Sequence, residues 1–294
     1  MFSKILGWNQ FRALVKMGRP FVLVAGLIAY FLGLSIAYHD QGTIHIVPAL
    51  VGLLILVLAT LMAHYANEYA DVDTDTITRR TRYSGGSGVL PSGIIPPSWA
   101  FWSAVILAIM TLIFTFSSFL WGLISSQVVV IVLVGMWGGW FYSMPPLQLE
   151  RTMWGELDNA LLGGYLMPLI AYIPQVGVAE PEMFLILTPI FLAVLVNLLG
   201  VHWLDREADG QVGKNTLVVR LAGRVPLIHL LLTVLMYLVT LSFWTLIPWQ
   251  VIVAILLTIP LAVWANLRFK QSPQYSSILM SAVMIFAGVG WIIA

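Results

Sequence analysis

The sequence contains no cysteine, and it has very little charge. A chain without thiols forms no disulfide, thiolate zinc site or iron–sulfur cluster, and it has no cysteine nucleophile. Charged residues make up 9% of its 294 residues, whereas 60% are hydrophobic and the mean hydropathy is +0.94. Soluble domains do not have this balance. The net charge of +1 offers no concentrated basic surface for nucleic acid, so the expected partners are membrane lipids and small molecules.

Long apolar runs recur along the whole chain. Crossing a hydrocarbon layer of about 30 Å takes roughly 20 helical residues, so each run is predicted to be a transmembrane helix. The predicted spans lie near residues 21–38, 46–66, 99–117, 122–142, 158–175, 183–203, 225–247, 249–267 and 276–294. The first run is long for a signal peptide, and we expect it to be a span. The sequence therefore predicts an all-α, polytopic membrane protein with about nine transmembrane helices in one domain, 1–294.

The basic residues indicate an orientation in the cell membrane. With the N-terminus inside, all 14 lysines and arginines fall in predicted cytoplasmic segments, and the predicted outer loops carry only Asp40, Glu180 and Glu182. Lys and Arg accumulate in cytoplasmic loops, so this segregation supports both the number of spans and a C-terminus outside. Two predicted cytoplasmic loops, about 67–98 and 204–224, are longer than the others, and loops of this length are often functional.

Two acidic clusters lie at the predicted cytoplasmic ends of the second and sixth spans. Asn67, Asp71 and Asp75 are spaced i, i+4, i+8, which on a helix places them on one face over about 12 Å. Asp205 and Asp209 repeat the i, i+4 spacing. Facing carboxylates repel one another unless a cation lies between them, and hard oxygen ligands favour Mg²⁺. Mg²⁺ also binds phosphate oxygens, so these five residues predict a magnesium site for a diphosphate substrate. A single such cluster would be typical of a solvated loop end, but two matched clusters at a membrane edge indicate function.

Basic residues follow both clusters. Arg79, Arg80 and Arg82 precede a glycine-rich run at 84–88, and Lys214 follows the second cluster. These four side chains are candidates for binding the diphosphate, although marking the cytoplasmic side explains them about equally well. The glycine run is weak as a phosphate motif, because it lacks a preceding strand and a terminal Lys-Ser/Thr.

The two clusters resemble the motifs N-x-x-x-D-x-x-x-D and D-x-x-x-D of the UbiA superfamily of intramembrane prenyltransferases. The further likeness lies in Tyr142-Ser143-Met144-Pro145-Pro146-Leu147, Gly155-Glu156-Leu157, Gly163-Gly164 and Gly213-Lys214-Asn215-Thr216-Leu217. Within the superfamily the set is most similar to the 1,4-dihydroxy-2-naphthoate prenyltransferases of menaquinone synthesis.

Three positions depart from the family pattern. Glu68 stands where many members have Asp, Glu150 where a Lys often follows the Tyr-Ser-x-Pro-Pro segment, and Leu204 where an Arg often precedes the second motif. These departures affect the identity of the acceptor more than the prenyl transfer reaction.

The resemblance implies a nine-helix bundle around a central cavity, capped by the two long loops and open sideways to lipid. It also implies transfer of a prenyl group from a polyprenyl diphosphate to an aromatic acceptor. In this interpretation Asp71, Asp75, Asp205 and Asp209 hold Mg²⁺ as a Lewis acid, with Asn67 completing or orienting the metal shell. The four basic side chains neutralise the departing diphosphate. Tyr142 offers an aromatic face to the allylic cation.

Several alternatives stay open at this point. The resemblance favours 1,4-dihydroxy-2-naphthoate as the acceptor, and the alternatives are 4-hydroxybenzoate, homogentisate, a glyceryl phosphate ether or a tetrapyrrole. A cation-coupled transporter would also contain membrane acids, but it predicts them near the midplane of the bilayer, whereas these acids lie at span ends. A lipid-binding scaffold leaves the paired clusters unexplained. His64 and His202 each lie near a cluster, where a structural hydrogen bond is the commoner role for a lone histidine.

Overall fold

The computed structural model describes residues 7–77 and 86–294. All of the regular elements in these two stretches are helical, which confirms the predicted all-α class. The helices are α1 (Trp8–Met17), α2 (Pro20–Gln41), α3 (Ile46–Ala70), α4 (Val72–Ile77), α5 (Pro97–Leu120), α6 (Ser126–Ser143), α7 (Trp154–Leu161), α8 (Met167–Val176), α9 (Glu182–Gln211), α10 (Leu217–Leu221), α11 (Val225–Ser242), α12 (Trp249–Leu256), α13 (Ile259–Leu267) and α14 (Tyr275–Ile293).

Eight helical stretches within the described residues are long and apolar enough to cross a membrane. They match eight of the predicted spans, and α10 with α11, and α12 with α13, each form one stretch. The remaining prediction, 158–175, falls on an interrupted helix made of α7, a π-helical turn at Leu162–Leu166, and α8. Together with this interrupted helix, the eight stretches agree with the predicted count of about nine.

The interrupted helix runs from one end of the bundle to the other. Near its beginning, Glu156 of α7 pairs with His202 in the last third of α9. Near its end, Gln175 of α8 exchanges hydrogen bonds with the backbone of His45, which lies just before α3 begins. The segment 154–176 therefore runs the length of the bundle, as a span would, although its hydrogen bonding changes midway.

Local sequence explains the interruption. Pro168 has no backbone N–H, so it cannot donate to the carbonyl of Gly164 as an α-helix requires. A π-helical turn is one way in which a helix accommodates such a gap. Gly164 also lies so close to the backbone of Phe191 on α9 that any side chain at this position would collide with it. The glycine lets the interrupted helix pack tightly on α9.

Two helices extend into the predicted cap loops. The sequence predicts a loop from about residue 67, but α3 continues to Ala70. It predicts a second loop from about residue 204, but α9 continues to Gln211. With 30 residues, α9 is about 45 Å long, well beyond the roughly 30 Å of a hydrocarbon layer. The helix is therefore longer than a span requires, and its final turns carry the second acidic cluster.

The packing of the bundle is that of a protein surrounded by lipid. The largest cluster of buried apolar residues joins α2, α3, α6, α8, α9 and α14. Outward positions on α5 and α11 are also apolar, with Ile113 62% exposed and Leu231 57% exposed. A helix facing water would carry polar residues there. Apolar outward faces of this kind suit contact with lipid.

Candidate active site

The first acidic cluster keeps helical geometry across a break. The helix α3 ends at Ala70 and α4 begins at Val72, yet the backbone N–H of Asp71 donates to the Asn67 carbonyl at 2.9 Å and that of Asp75 donates to the Asp71 carbonyl at 2.8 Å. The Asn67 side chain donates from Nδ2 to Asp71 Oδ2 at 2.8 Å. The i, i+4 spacing therefore brings these side chains into contact, as the sequence predicts.

Lys214 joins the two acidic clusters. Its Nζ lies 2.6 Å from Asp71 Oδ1, 3.5 Å from Glu150 Oε1 and 3.8 Å from Asp209 Oδ1. Burial opposes a charge on this side chain, but the carboxylates of Asp71 and Glu150 outweigh burial and raise the pKa of Lys214. The predicted site residues that meet here are Asn67, Asp71, Asp209 and Lys214. The ammonium group offsets the repulsion between carboxylates that come from α3 and from α9.

Glu150 is a member of this cluster that the sequence analysis missed. Its Oε2 accepts hydrogen bonds from Asn67 Nδ2 at 2.8 Å and from Ser143 Oγ at 3.1 Å. Burial, together with the negative charge of Asp71, raises the pKa of Glu150 above its usual range, while Lys214 acts against the rise. Sequence reasoning noted Glu150 only as a departure from a family lysine. The signal that could have identified it was its position just after the Tyr-Ser-x-Pro-Pro segment.

A second carboxylate missed as a site residue, Glu68, anchors the segment that follows the first cluster. Glu68 is 1% exposed, and its Oε1 accepts from Arg19 Nε and from the backbone N–H of Ser87, both at 2.7 Å. The Ser87 hydroxyl donates to the other carboxylate oxygen. These bonds hold the chain around Ser87 against the end of α3. The Glu at this position, where many family members have Asp, thus has a clear structural role.

Asp75 lies beneath the same segment. Gly86 adopts a left-handed backbone, with φ of +60°, and a side chain there would overlap the Asp75 carboxylate. Burial, assisted by the charge of Asp71, raises the pKa of Asp75 to about 7. Glycine at position 86 thus lets the backbone approach this carboxylate closely.

A further buried pair lies beside the second acidic cluster. His202 Nδ1 is 3.0 Å from Glu156 Oε1, and Glu156 is fully buried. Its Oε2 has no hydrogen-bond partner within residues 7–77 and 86–294. On α9, His202 precedes Asp205 by three residues and Asp209 by seven, so all three share one face of the helix. Both aspartates act electrostatically on His202.

The remaining predicted site residues fall into two groups. Tyr142 is half-buried in the last turn of α6, and the charges of Glu150, Asp71 and Asp209 act on its hydroxyl. Three predicted diphosphate ligands lie outside the described residues: Arg79, Arg80 and Arg82. Tyr142 is therefore close to the cluster, as its motif predicts.

The family to which the chain belongs is decided by a match along most of its length. The sequence model of the UbiA prenyltransferase family matches residues 26–289. The chain belongs to the UbiA prenyltransferase family. This confirms the resemblance that the acidic motifs indicate.

Curated relatives of this UbiA family member have different acceptors in their names. It is 27% identical over 210 residues to 1,4-dihydroxy-2-naphthoate octaprenyltransferase of Bacillus subtilis, covering 69% of this chain and 64% of that protein. It is 24% identical over 147 residues to the bacteriochlorophyll synthase 33 kDa chain of Rhodobacter capsulatus, covering 49% and 43%. It is 25% identical over 303 residues to protoheme IX farnesyltransferase 2 of B. subtilis, covering 95% and 92%. The first two matches thus span less than two thirds of those relatives' own lengths.

Solved structures of other family members share the fold. A UbiA homologue from Archaeoglobus fulgidus bound to GPP and Mg²⁺ superposes with a TM-score of 0.67 at 15% identity, covering 96% of this chain and 100% of that one. A digeranylgeranylglyceryl phosphate synthase superposes with a TM-score of 0.67 at 17% identity, covering 97% and 99%. These similarities establish the architecture of the UbiA chain described here.

The donor chemistry at the site of this UbiA protein suits a hard divalent cation. The converging groups are carboxylate oxygens from Asp71, Glu150 and Asp209, and Mg²⁺ prefers oxygen ligands. In the part of the chain that the structure describes, no three His, Asp or Glu side chains are grouped closely enough to hold a metal ion. Lys214 Nζ lies between the two acidic clusters and contacts both. By chemistry, the residues present fit Mg²⁺.

Proposed function

We propose that this protein transfers a prenyl group from a polyprenyl diphosphate to an aromatic acceptor, 1,4-dihydroxy-2-naphthoate, in menaquinone biosynthesis. The observation that carries the proposal is the convergence of two acidic clusters on one buried lysine. Membership of the UbiA prenyltransferase family supports the reaction class. The naphthoate octaprenyltransferase of B. subtilis supports the acceptor, as do the Gly-Glu-Leu and Gly-Lys-x-Thr-Leu segments.

The proposed metal ligands are the carboxylates of both clusters, which are Asp71, Asp75, Asp205 and Asp209, with Asn67 orienting Asp71. Mg²⁺ held there would supply Lewis acidity that favours departure of the diphosphate. The homologue from A. fulgidus that was solved with GPP and Mg²⁺ supports this assignment. Asn67 suits the orienting role, because its Nδ2 donates to both Asp71 and Glu150 and fixes their relative positions.

The diphosphate is held by positive charge in this proposal. Lys214 is the described candidate, since its ammonium is buried and already lies among the oxygens of the cluster. Arg79, Arg80 and Arg82 are the remaining candidates. Preorganised positive charge stabilises a leaving group on which negative charge develops.

In this proposal, Tyr142 and the segment that covers Asp75 protect the allylic cation. Tyr142 offers an aromatic face next to the cluster, and aromatic faces attract cations. The segment that begins at Gly86 is held over Asp75 by the bonds between Ser87 and Glu68. This covering excludes water, which would otherwise capture the cation.

We further propose that the acidic clusters face the cytoplasm of the cell, with the N-terminus inside and the C-terminus outside. The distribution of Lys and Arg supports this orientation. Residues 1–294 then act as one transmembrane domain, with the segments near 67–98 and 204–224 covering the site.

The decisive test is reconstitution of the purified full-length chain in liposomes with Mg²⁺ and a radiolabelled polyprenyl diphosphate. Separate reactions contain 1,4-dihydroxy-2-naphthoate, 4-hydroxybenzoate, homogentisate, a glyceryl phosphate ether or a tetrapyrrole. We expect prenylated naphthoate product, detected by chromatography, and its loss when Mg²⁺ is chelated. A reaction in which the protein carries Asp71→Asn controls for background transfer.

Two other results would each support a different function. Efficient prenylation of a different acceptor would replace the naphthoate assignment, and the names of the bacteriochlorophyll and protoheme relatives give that outcome a basis. If no acceptor is prenylated and the liposomes instead show protein-dependent cation flux, the transporter hypothesis replaces the enzyme. The position of Asp71 and Asp209 near helix ends disfavours that hypothesis.

A further inference from the structure

The pair formed by Glu156 and His202 has no role in the diphosphate site described above. Glu156 comes from α7 and His202 from α9, and they meet at 3.0 Å. A carboxylate accepts hydrogen bonds, so His202 Nδ1 is the donor, which leaves Nε2 as the nitrogen with a lone pair. The structure records no hydrogen bond at Nε2 within residues 7–77 and 86–294. A carboxylate that fixes one ring nitrogen so that the other can accept a proton is the arrangement of a general base.

The pair of Glu156 and His202 lies deeper in the bundle than the diphosphate site. Asp209 lies at the lysine cluster, and His202 lies seven residues earlier on the same face of α9, about 10 Å deeper along the helix axis. A prenyl diphosphate that binds the cluster through its phosphates must point its carbon chain away from the charges and into the bundle. Its C1 atom, and the acceptor ring that attacks C1, then lie between Asp209 and the depth of His202.

We propose that His202, oriented by Glu156, is the base that takes the proton from the acceptor hydroxyl. This inference rests on the proposed prenyl transfer to a hydroxylated aromatic acceptor. His202 touches the acceptor oxygen and is therefore a catalytic residue, while Glu156 is a positioning residue.

With a phenolic acceptor, a proton moves to His202 and the prenyl group moves to a ring carbon. The acceptor O–H bond breaks, its proton goes to His202 Nε2, and the oxygen electron pair moves into the ring. The ring carbon forms a bond with C1 of the prenyl group, and the C1–O bond breaks with its electron pair on the diphosphate. The substituted carbon then loses CO₂ if it carries a carboxylate, or otherwise loses a proton to the diphosphate. His202 returns its proton to the acceptor oxygen.

Contact with the buried Glu156 carboxylate favours proton uptake by His202. Glu156 is fully buried, and one of its oxygens lacks a partner among the described residues, so a lone negative charge there is costly. When neutral His202 takes a proton, the net charge of the pair changes from −1 to 0.

The other histidine near an acidic cluster has a different environment. His64 Nδ1 is 2.8 Å from the backbone carbonyl of Gly18, and within residues 7–77 and 86–294 its ring forms no ion pair with a carboxylate. This bond fastens α3 to the turn between α1 and α2, which is a structural role. His64 therefore provides a matched control. Asparagine at either position can keep a donor where Nδ1 stands, but it removes Nε2.

The experiment compares His202→Asn with His64→Asn in the full-length chain in liposomes. The acceptors are 1,4-dihydroxy-2-naphthoate and a halogenated analogue whose hydroxyl is already ionised at the assay pH. General bases typically contribute about 10²-fold to 10⁴-fold, so we expect His202→Asn to lower kcat with the unmodified acceptor by that factor. We expect a much smaller loss with the ionised analogue. Binding of the prenyl diphosphate stays unchanged, and His64→Asn resembles the wild type.

The variant Glu156→Gln tests the positioning residue. It shows the same pattern as His202→Asn but more weakly, because glutamine keeps a hydrogen-bond acceptor for His202 Nδ1.

The outcomes separate this inference from the proposed function. If the wild type prenylates no acceptor, both fail. If the wild type is active but His202→Asn retains full turnover, loses equal activity with both acceptors, or fails to bind the prenyl diphosphate, the base assignment is wrong and the transferase assignment stands. Thermal unfolding of each variant identifies a folding defect, and in that case Glu156→Gln decides by the same comparison of acceptors.

Discussion

The two ends of the helical bundle pair their polar groups in opposite ways. At the end near His45, Tyr172 donates to Asp40 Oδ2 at 2.7 Å, and the Gln175 side chain exchanges two hydrogen bonds with the His45 backbone. Both of these side chains meet partners of the opposite hydrogen-bonding type. At the other end, which we call the acidic end and define by the residues around Lys214, carboxylates outnumber the cations that contact them within residues 7–77 and 86–294.

The difference indicates which end holds a ligand. Within residues 7–77 and 86–294, the Lys and Arg side chains that contact the buried acids are Arg19 and Lys214. The acids at this end include Glu68, Asp71, Asp75, Glu150, Glu156 and Asp209. Polar groups that only stabilise a fold are normally satisfied within it, as Tyr172 and Gln175 are at the His45 end. A surplus of carboxylates at a membrane edge instead favours the binding of cations.

The largest effect is expected from neutralising the acids themselves. We expect Asp71→Asn and Asp205→Asn each to lower kcat at least about a thousandfold, because a bound divalent ion contributes several kcal/mol to leaving-group departure. Asp40→Asn, the corresponding change at the His45 end, leaves turnover unchanged. The measurement is steady-state transfer to 1,4-dihydroxy-2-naphthoate, with thermal unfolding to verify that each variant is folded. Full activity in either acidic-end variant would contradict its role as a metal ligand.

Much of the fold could be predicted from the sequence because its causes are local. Apolar runs of the right length specify spans, and Asp71 and Asp209 follow runs that end at the membrane edge. The interruption of the fifth span could not be located in this way. It depends on the tight approach of Gly164 to Phe191 as well as on Pro168, and that approach exists only after α7, α8 and α9 pack together.

The candidate site was predictable where its residues repeat at helical spacing, and it was not where separate segments meet. Asn67 and Asp71 share one helix, so their contact follows from i, i+4 spacing. Glu150 and Glu156 come from the connection after α6 and from α7, and each meets a partner distant in sequence. A pattern search within single helices cannot find such contacts. Glu150 also stands where the family motif often has a lysine, so the motif does not mark it as a site residue.

Lys214→Met removes the cation that joins the two acidic clusters. Breaking a buried ion network by removing one partner typically costs about 3–5 kcal/mol, because it leaves uncompensated charge. We therefore expect a lower unfolding temperature without Mg²⁺ and a partial recovery when Mg²⁺ is added. Turnover falls as well, since the diphosphate loses a positive partner. A variant that unfolds at the wild-type temperature, with or without Mg²⁺, would show that Lys214 does not hold the clusters together.

Glu150→Gln tests the carboxylate that was not anticipated as a site residue. Glutamine can still accept the hydrogen bond from Asn67, but it removes one negative charge from the cluster. Residues that orient metal ligands typically contribute about 10-fold to 100-fold, and we expect the Mg²⁺ concentration for half-maximal activity to rise by this factor. Glu182→Gln, an exposed acid in the first turn of α9, is the control at the opposite end. An unchanged Mg²⁺ requirement would remove Glu150 from the site.

The smallest effect is expected at the His45 end. Tyr172→Phe removes the hydroxyl that donates to Asp40, whose carboxylate is exposed and can bind water instead. The net contribution of such a hydrogen bond is about 1 kcal/mol, so we expect a slightly lower unfolding temperature in detergent. Transfer activity and Mg²⁺ requirement should match those of the wild type. A clear loss of turnover at an unchanged unfolding temperature would mean that the two ends are coupled through the interrupted helix, which runs from Glu156 at the acidic end to Gln175 beside His45.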